Sequence, residues 1–239
     1  MKKIIDEVKA ELIRNADEKT KSSGERYFKE PVKLHGLKSS QINLIARELF
    51  KRLPWNKAYV LDLCEELWKS GYLEETGIAC IWSYNMRKEY VPEDFSVFER
   101  WVNKYVTNWA SCDTLCNHTI GTFIEMYPTF LADLKKWALT ENRWVKRASA
   151  VTLIIPARNG KFLKDIFEIA DLLHSDPDDM VQKGYGWMLK AASQAHRDEV
   201  FNYVMKKKAT MPRTALRYAI EKMPADLRIG LTTTVLKLP

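Results

Sequence analysis

One carboxylate stands out by its surroundings. Asp113 lies in the run Trp109-Ala-Ser-Cys-Asp-Thr-Leu-Cys116, an apolar, cysteine-rich stretch where an isolated negative charge is expensive to bury unless it is paired or belongs to a site. A helix cap or a salt bridge to a helix neighbour is the plain alternative. Arg147 follows 34 residues later, and the segments 144–154, 180–190 and 214–223 superpose at offsets of 36 and 34, each with one central cation: Arg147, Lys183 and Arg217. Singly, each cation reads as a solvated helix end. Together they form a ladder that would follow a polyanion backbone, because each rung supplies a charge along the track, and DNA or RNA becomes the leading partner. The eight tryptophans read mostly as core. Trp187 differs a little, since it follows Gly184 and Gly186, small residues that cost helix stability with no packing gain visible in the sequence.

Other chemistries lack their residues. The cysteines Cys64, Cys80, Cys112 and Cys116 form no CxxC knuckle, and the spacing of Cys112 and Cys116 suits one helix face, so they read as reduced core thiols. His35, His118, His174 and His196 show no paired metal-ligand spacing, and no metal is expected. There is no phosphate-binding GxxxxGK[ST] run and no GxGxxG after a strand, so no cofactor is expected either. No lysine sits in an apolar setting that would suit Schiff-base chemistry.

The elements that must carry these residues are helices. The chain has 239 residues, 46% of them hydrophobic, enough for a sizeable core, yet only 9 Gly and 9 Pro to break it. Apolar residues recur at helical spacing almost throughout, as in Ile4, Ile5, Val8, Leu12 and in Val60, Leu61, Cys64, Leu67, Trp68. Turn-like segments at 21–24, 52–55, 69–71, 90–94, 156–160, 175–179 and 210–212 divide the helices, and Pro92 and Pro177, each followed by acidic residues, read as helix starts. A 34 to 36 residue recurrence of helix pairs marks an all-α fold, an α-solenoid curved around a concave basic groove, in a single domain over 1–239. The net charge of +7 agrees with an anionic partner. The run Lys206 to Lys208 reads as a solvated helix end. Neither a membrane span nor a secretory leader is apparent, which predicts a cytoplasmic protein.

The segments WASCD (109–113), ENRWVKRASAV (141–151) and VQKGYGWMLK (181–190) together resemble the AlkD family of alkylpurine DNA glycosylases, built from HEAT-like repeats. The likeness extends more diffusely over GERYFKEPVKLHGLKSSQINLIAREL near the start and MPRTALRYAIEKM near the end. It implies hydrolysis of the N-glycosidic bond of cationic N3- or N7-alkylated purines in duplex DNA, without base flipping, by a monomer that joins the nucleoid when bound to DNA. Such a base is already a good leaving group, so the useful contribution is negative charge and π-density around a sugar that turns positive in the transition state. On this resemblance Asp113 supplies the carboxylate and orients water, while Trp109 and Trp187 lay their indoles against the deoxyribose. Arg147 grips a flanking phosphate, Lys183 and Arg217 continue as phosphate ligands, and Tyr27, Lys29 and Lys38 touch the strand opposite the lesion. The chain departs from the family pattern at Asn108 and Ala110, where members often carry a second Trp and a second Asp. That departure keeps open a catalytically silent HEAT-like protein that binds branched or distorted DNA. A protein-binding solenoid is the third reading, distinguished by weak salt dependence.

Overall fold

Helix starts in this chain follow from capping residues at a repeated spacing. In the computed structural model, which describes residues 1–232, Asn108, Asn142 and Asp178 each accept backbone N–H groups of the first turn that follows. Residues 233–239 of the expected domain lie outside the described part. The described residues are helical with no strand; an isolated bridge joins Lys33 to Tyr72. No described helix is long and apolar enough to cross a membrane.

The chain divides into two units, the first ending at Leu115 and the second beginning at Cys116. The first holds α1 (Lys2–Arg14), α2 (Glu18–Glu25), α3 (Ser39–Phe50), α4 (Lys57–Ser70), α5 (Leu73–Asn85), α6 (Phe95–Lys104) and α7 (Trp109–Thr114). Its core is the apolar stripe of α4 (Val60, Leu63, Cys64, Leu67, Trp68) against α5, with the Trp101 ring in contact with those of both Trp68 and Phe98. Glu65 organises the edge of that core. Burial pushes its carboxyl up, but hydrogen bonds from Arg100, Tyr105 and Trp101 outweigh this and hold it below the usual carboxylate range.

A π-helical segment, Leu115–Ile120, continues from α7. The second unit then holds α8 (Gly121–Met126), α9 (Leu131–Trp137), α10 (Arg143–Val151), α11 (Ile154–Arg158), α12 (Leu163–Leu173), α13 (Asp179–Ala192), α14 (Arg197–Lys207), α15 (Arg213–Ala219) and α16 (Ala225–Thr232). Within it α10 packs on α13 and α13 on α15, while α12 backs α10 and α13.

The repeat is sharper in the helices than in the residues. Helices α3, α5, α7, α10, α13 and α15 begin at residues 39, 73, 109, 143, 179 and 213, spacings of 34, 36, 34, 36 and 34. Two expectations of the sequence fail locally. Residues 21–24 are no break but the middle of α2, which Asp17 caps by accepting Thr20 N–H at 2.7 Å. Pro156 likewise lies inside α11, at its third residue, where a proline removes no helical hydrogen bond. Pro92 starts a 3-10 turn that leads into α6, and α13 starts two residues after Pro177, behind the Asp178 cap.

Candidate functional site

All four residues of the charge ladder occupy the same place in their helices. Asp113 on α7, Arg147 on α10, Lys183 on α13 and Arg217 on α15 are each the fifth residue. Trp109, the first residue of α7, shares a helix face with Asp113, and Trp187, the ninth of α13, shares one with Lys183, because positions four apart lie on the same side of a helix. Elsewhere on these helices the faces are packed: Trp144, Val145 and Ala148 on α10, Tyr185, Met188 and Leu189 on α13, Ala215 and Ala219 on α15. Five of the eight tryptophans (Trp68, Trp82, Trp101, Trp137, Trp144) are buried; Trp109 and Trp187 are half-buried and Trp55 is exposed.

In the first unit the short helix α7 presents Trp109 and the half-buried Asp113. Its start depends on Asn108, which is buried and accepts Ser111 N–H at 2.9 Å, so the residue that departs from the family pattern has a structural task. Trp109 Nε1 donates to the Tyr27 carbonyl at 3.3 Å, and its ring stacks on Phe28 with centroids 5.3 Å apart. Tyr27 is therefore brought to Trp109 through its backbone, while its side chain is 73% exposed. Lys29 and Lys38 are exposed on the same loop, Lys38 just before α3. Trp109, Tyr27 and Phe28 line a cleft of about 250 Å³ with Ile42, Glu74 and Ala110. A second cleft of about 310 Å³ runs beside it along α3, α5 and α7, past Asn43, Gly77 and Thr114.

The loop that carries Tyr27 to Lys38 is fastened by acids of α5. Glu74, 2% exposed, accepts the backbone N–H groups of His35, Gly36 and Leu37 at 3.0, 2.8 and 3.2 Å. Glu75, 1% exposed, meets His35 Nε2 at 3.0 Å, and the His35 ring stacks on Tyr72. Gly36 holds φ at +100°, and a Cβ there would stand 2.3 Å from the Asp17 carbonyl, so only glycine fits. The sequence reading passed over Phe28, Glu74 and Glu75, because acids in a helix's first turn look like ordinary partners of its dipole.

In the second unit the cations are less free than a bare ladder suggests. Arg147 is 5% exposed, and its Nη1 donates to the Met180 carbonyl at the start of α13. Lys183 pairs with Asp179 at 3.1 Å, one turn earlier on the same stripe. Arg143 meets Asp178 at 2.8 Å and lies over the Trp144 ring. Arg217 is exposed. Trp187 is half-buried between Gly186 and Met188, and the two preceding glycines do have a packing reason. A Cβ on Gly186 would meet Ala215 and Tyr218 of α15, and one on Gly184 would meet the Arg147 side chain, which corrects the sequence expectation of no packing gain. The four cysteines are buried and unbridged, as expected.

Comparison with known proteins adds two findings. The sequence model of the family described as "DNA alkylation repair enzyme" matches residues 8–223. A solved structure described as a predicted DNA alkylation repair enzyme from Enterococcus faecalis superposes with a TM-score of 0.77 at 16% identity, covering 88% of this chain and 98% of that one. No curated protein matches the sequence.

Proposed function

This chain belongs to the family of DNA alkylation repair enzymes, and we propose that it is a DNA glycosylase that hydrolyses the N-glycosidic bond of cationic N3- or N7-alkylated purines in duplex DNA, without base flipping. The observation that carries this reading is a recurrence of position: Asp113 on α7, Arg147 on α10, Lys183 on α13 and Arg217 on α15 are each the fifth residue of their helix, with Trp109 one turn before Asp113 and Trp187 one turn after Lys183. An alkylated purine carries its positive charge as a leaving group and hands it to the sugar as the bond breaks. A carboxylate next to an indole stabilises that developing charge more than it stabilises the ground state, and this difference is what accelerates the reaction.

In the proposed mechanism Asp113 faces the anomeric carbon and orders the attacking water, taking up its proton as the new C–O bond forms. Trp109 and Trp187 offer their ring faces to the sugar. Trp109 is pre-set for this, since its Nε1 is already bonded to Tyr27 and one ring face is stacked on Phe28. Lys183 and Arg217 contact phosphates, and Arg147 grips a flanking phosphate. Tyr27, Lys29 and Lys38 touch the strand opposite the lesion. The protein acts as a monomer in the cytoplasm, on nucleoid DNA, and needs no metal or cofactor.

The test is release of free 7-methylguanine and 3-methyladenine from alkylated duplex DNA. Asp113→Asn should nearly abolish release, by about 10²-fold or more, and leave duplex affinity within a few-fold. A wild-type protein that binds the alkylated duplex and releases no base refutes the reading. The binding-only alternative rests on Asn108 and Ala110, and it predicts preference for junctions over linear duplex and indifference to Asp113→Asn.

A further inference from the structure

Trp55 is 62% exposed, yet its place is fixed. It sits in the turn between α3 and α4, after Pro54 and before Asn56, which caps α4 by accepting Tyr59 N–H at 2.9 Å. The indole meets Phe50 edge-on with centroids 6.2 Å apart, and its Nε1 donates to a Glu89 carboxylate oxygen at 3.4 Å. Lys57 ties the same turn to the segment after α5, donating to the Glu89 carbonyl at 2.8 Å and to Asp94 at 2.7 Å. A ring of this size left in water forgoes the stabilisation that burial brings, and a fixed ring has already lost its rotamer freedom. A partner that covers it regains the first and is spared the second, which is the behaviour of a binding anchor.

The helices beside Trp55 select the partner. Helices α3 and α5 run parallel: residues 35–37, just before α3, bond Glu74 at the start of α5, and Phe50 at the end of α3 meets Trp82 near the end of α5. Their twelve and thirteen residues span about 18 to 20 Å, close to the width of a DNA duplex. The end where they begin carries Tyr27, Lys29 and Lys38, which the glycosylase reading places on the strand opposite the lesion. Between the ends, the fifth residues of α3 and α5 are Asn43 and Gly77, so the charge ladder has no cationic rung here. At the far end cations outnumber the acids that meet them. Glu48 pairs with both Arg47 and Lys51, and Glu7 with Arg52. Arg87 lies over the Tyr84 ring, and Lys88, beside Glu89, is exposed and makes no ion pair among the described residues. An exposed aromatic face next to an uncommitted cation suits a sugar–phosphate backbone, which offers an apolar ring and a negative charge in alternation.

We infer that the far end of α3 and α5 is a second DNA contact of the first unit, where the Trp55 indole lies against a deoxyribose and Lys88 meets the adjoining phosphate. The duplex is then held at both ends of these helices, by Lys38 and its loop on one side and by Trp55 and Lys88 on the other. The inference rests on the DNA binding in the glycosylase reading and not on base release, since neither residue touches the reacting atoms.

The experiment measures the affinity of the full-length protein for an unmodified linear DNA duplex across a salt series. Trp55→Ala should weaken binding at least about fivefold, the loss expected of an aromatic anchor. Trp55→Phe, which keeps an aromatic face, should stay within about threefold of wild type. Lys88→Ala should lower the slope of log affinity against log salt by about one. A folded Trp55→Ala protein that binds duplex as wild type does overturns the inference and leaves the indole to a protein partner. Trp55→Phe as weak as Trp55→Ala overturns the role given to the ring face, and an unchanged slope in Lys88→Ala overturns the phosphate contact. Should Trp55→Ala fail to fold, the Lys88 result decides alone, because that side chain is exposed. A wild type that binds duplex and releases no base refutes the glycosylase reading and leaves this inference standing, whereas one that binds no duplex overturns both.

Discussion

Gly184 and Gly186 lie two residues apart on α13, and replacing each by alanine should have opposite consequences. A Cβ on Gly186 would stand 2.7 Å from Tyr218 Cβ, 2.8 Å from the Ala215 carbonyl oxygen and 3.1 Å from Ala215 Cα. These atoms belong to or adjoin the backbone of α15, so no rotamer change relieves them. Restoring ordinary contact at 3.5 Å or more requires α15 to move outward by roughly 0.7 Å, or α13 to bend. Overpacking of this kind costs about 1–3 kcal/mol, against about 1 kcal/mol gained from alanine's helix propensity. At Gly184 the nearest atom is Arg147 Cγ at 3.3 Å, part of a long side chain that can yield. Gly184→Ala should therefore be neutral or stabilising by up to about 1 kcal/mol. Gly186→Ala should lose up to about 2 kcal/mol, equivalent to a fall of up to about 8 °C in Tm. Because α15 carries Arg213 and Arg217, Gly186→Ala should also weaken duplex binding while Gly184→Ala preserves it. Denaturant melts of the three proteins, with duplex affinity measured on the same samples, provide the assay. A Gly186→Ala protein as stable as Gly184→Ala would refute the close approach of α13 to α15 as the reason for the glycine.

Two further expectations concern the stripe. Asn108→Ala removes the side-chain cap of the six-residue helix α7 and should cost about 1 kcal/mol, with base release falling more than stability because Trp109 and Asp113 ride on that helix; Asn108→Asp should restore both. Arg147→Ala should destabilise the fold by about 2 kcal/mol, through loss of the hydrogen bond to Met180 and of the packed side chain. If Arg147 also holds a phosphate, the slope of log affinity against log salt should fall by about one in the same variant, and an unchanged slope assigns it to the interior only.

What the sequence made legible is what depends on local chemistry. The 34 to 36 residue period appeared because Arg147, Lys183 and Arg217 recur at the same place in successive helical segments, and Asp113 appeared because a charge among cysteines and apolar residues is conspicuous. Helix α2 escaped notice because it buries no residue, so it has no apolar stripe to betray its period. The reason for Gly186 lies in Ala215 and Tyr218, some thirty residues away, and nothing local encodes it. Glu74 was hidden for the same cause. Its three N–H partners come from residues 35 to 37, which only the fold brings to the first turn of α5.

The stripe also constrains where phosphate affinity can come from. The fold fixes the helical position, and the residue type placed there decides whether that rung attracts phosphate or a positive sugar: Asp113 at one rung, Arg147, Lys183 and Arg217 at the next three. Yet Lys183 already meets Asp179, Arg143 meets Asp178, and Arg147 is committed in part to Met180, so each would exchange an internal partner for a phosphate rather than gain one outright. Such exchanges contribute less net free energy than a contact made by a cation that has only water to lose. Arg217 on α15 and Lys38 before α3 are exposed and have less to give up. On the glycosylase reading, Arg147 and Lys183 then serve mainly to set the register of the duplex, and Lys38 and Arg217 supply most of the salt-dependent affinity. Shortening the side chains of Lys38 and Arg217 to alanine should accordingly weaken binding more than the same change at Lys183.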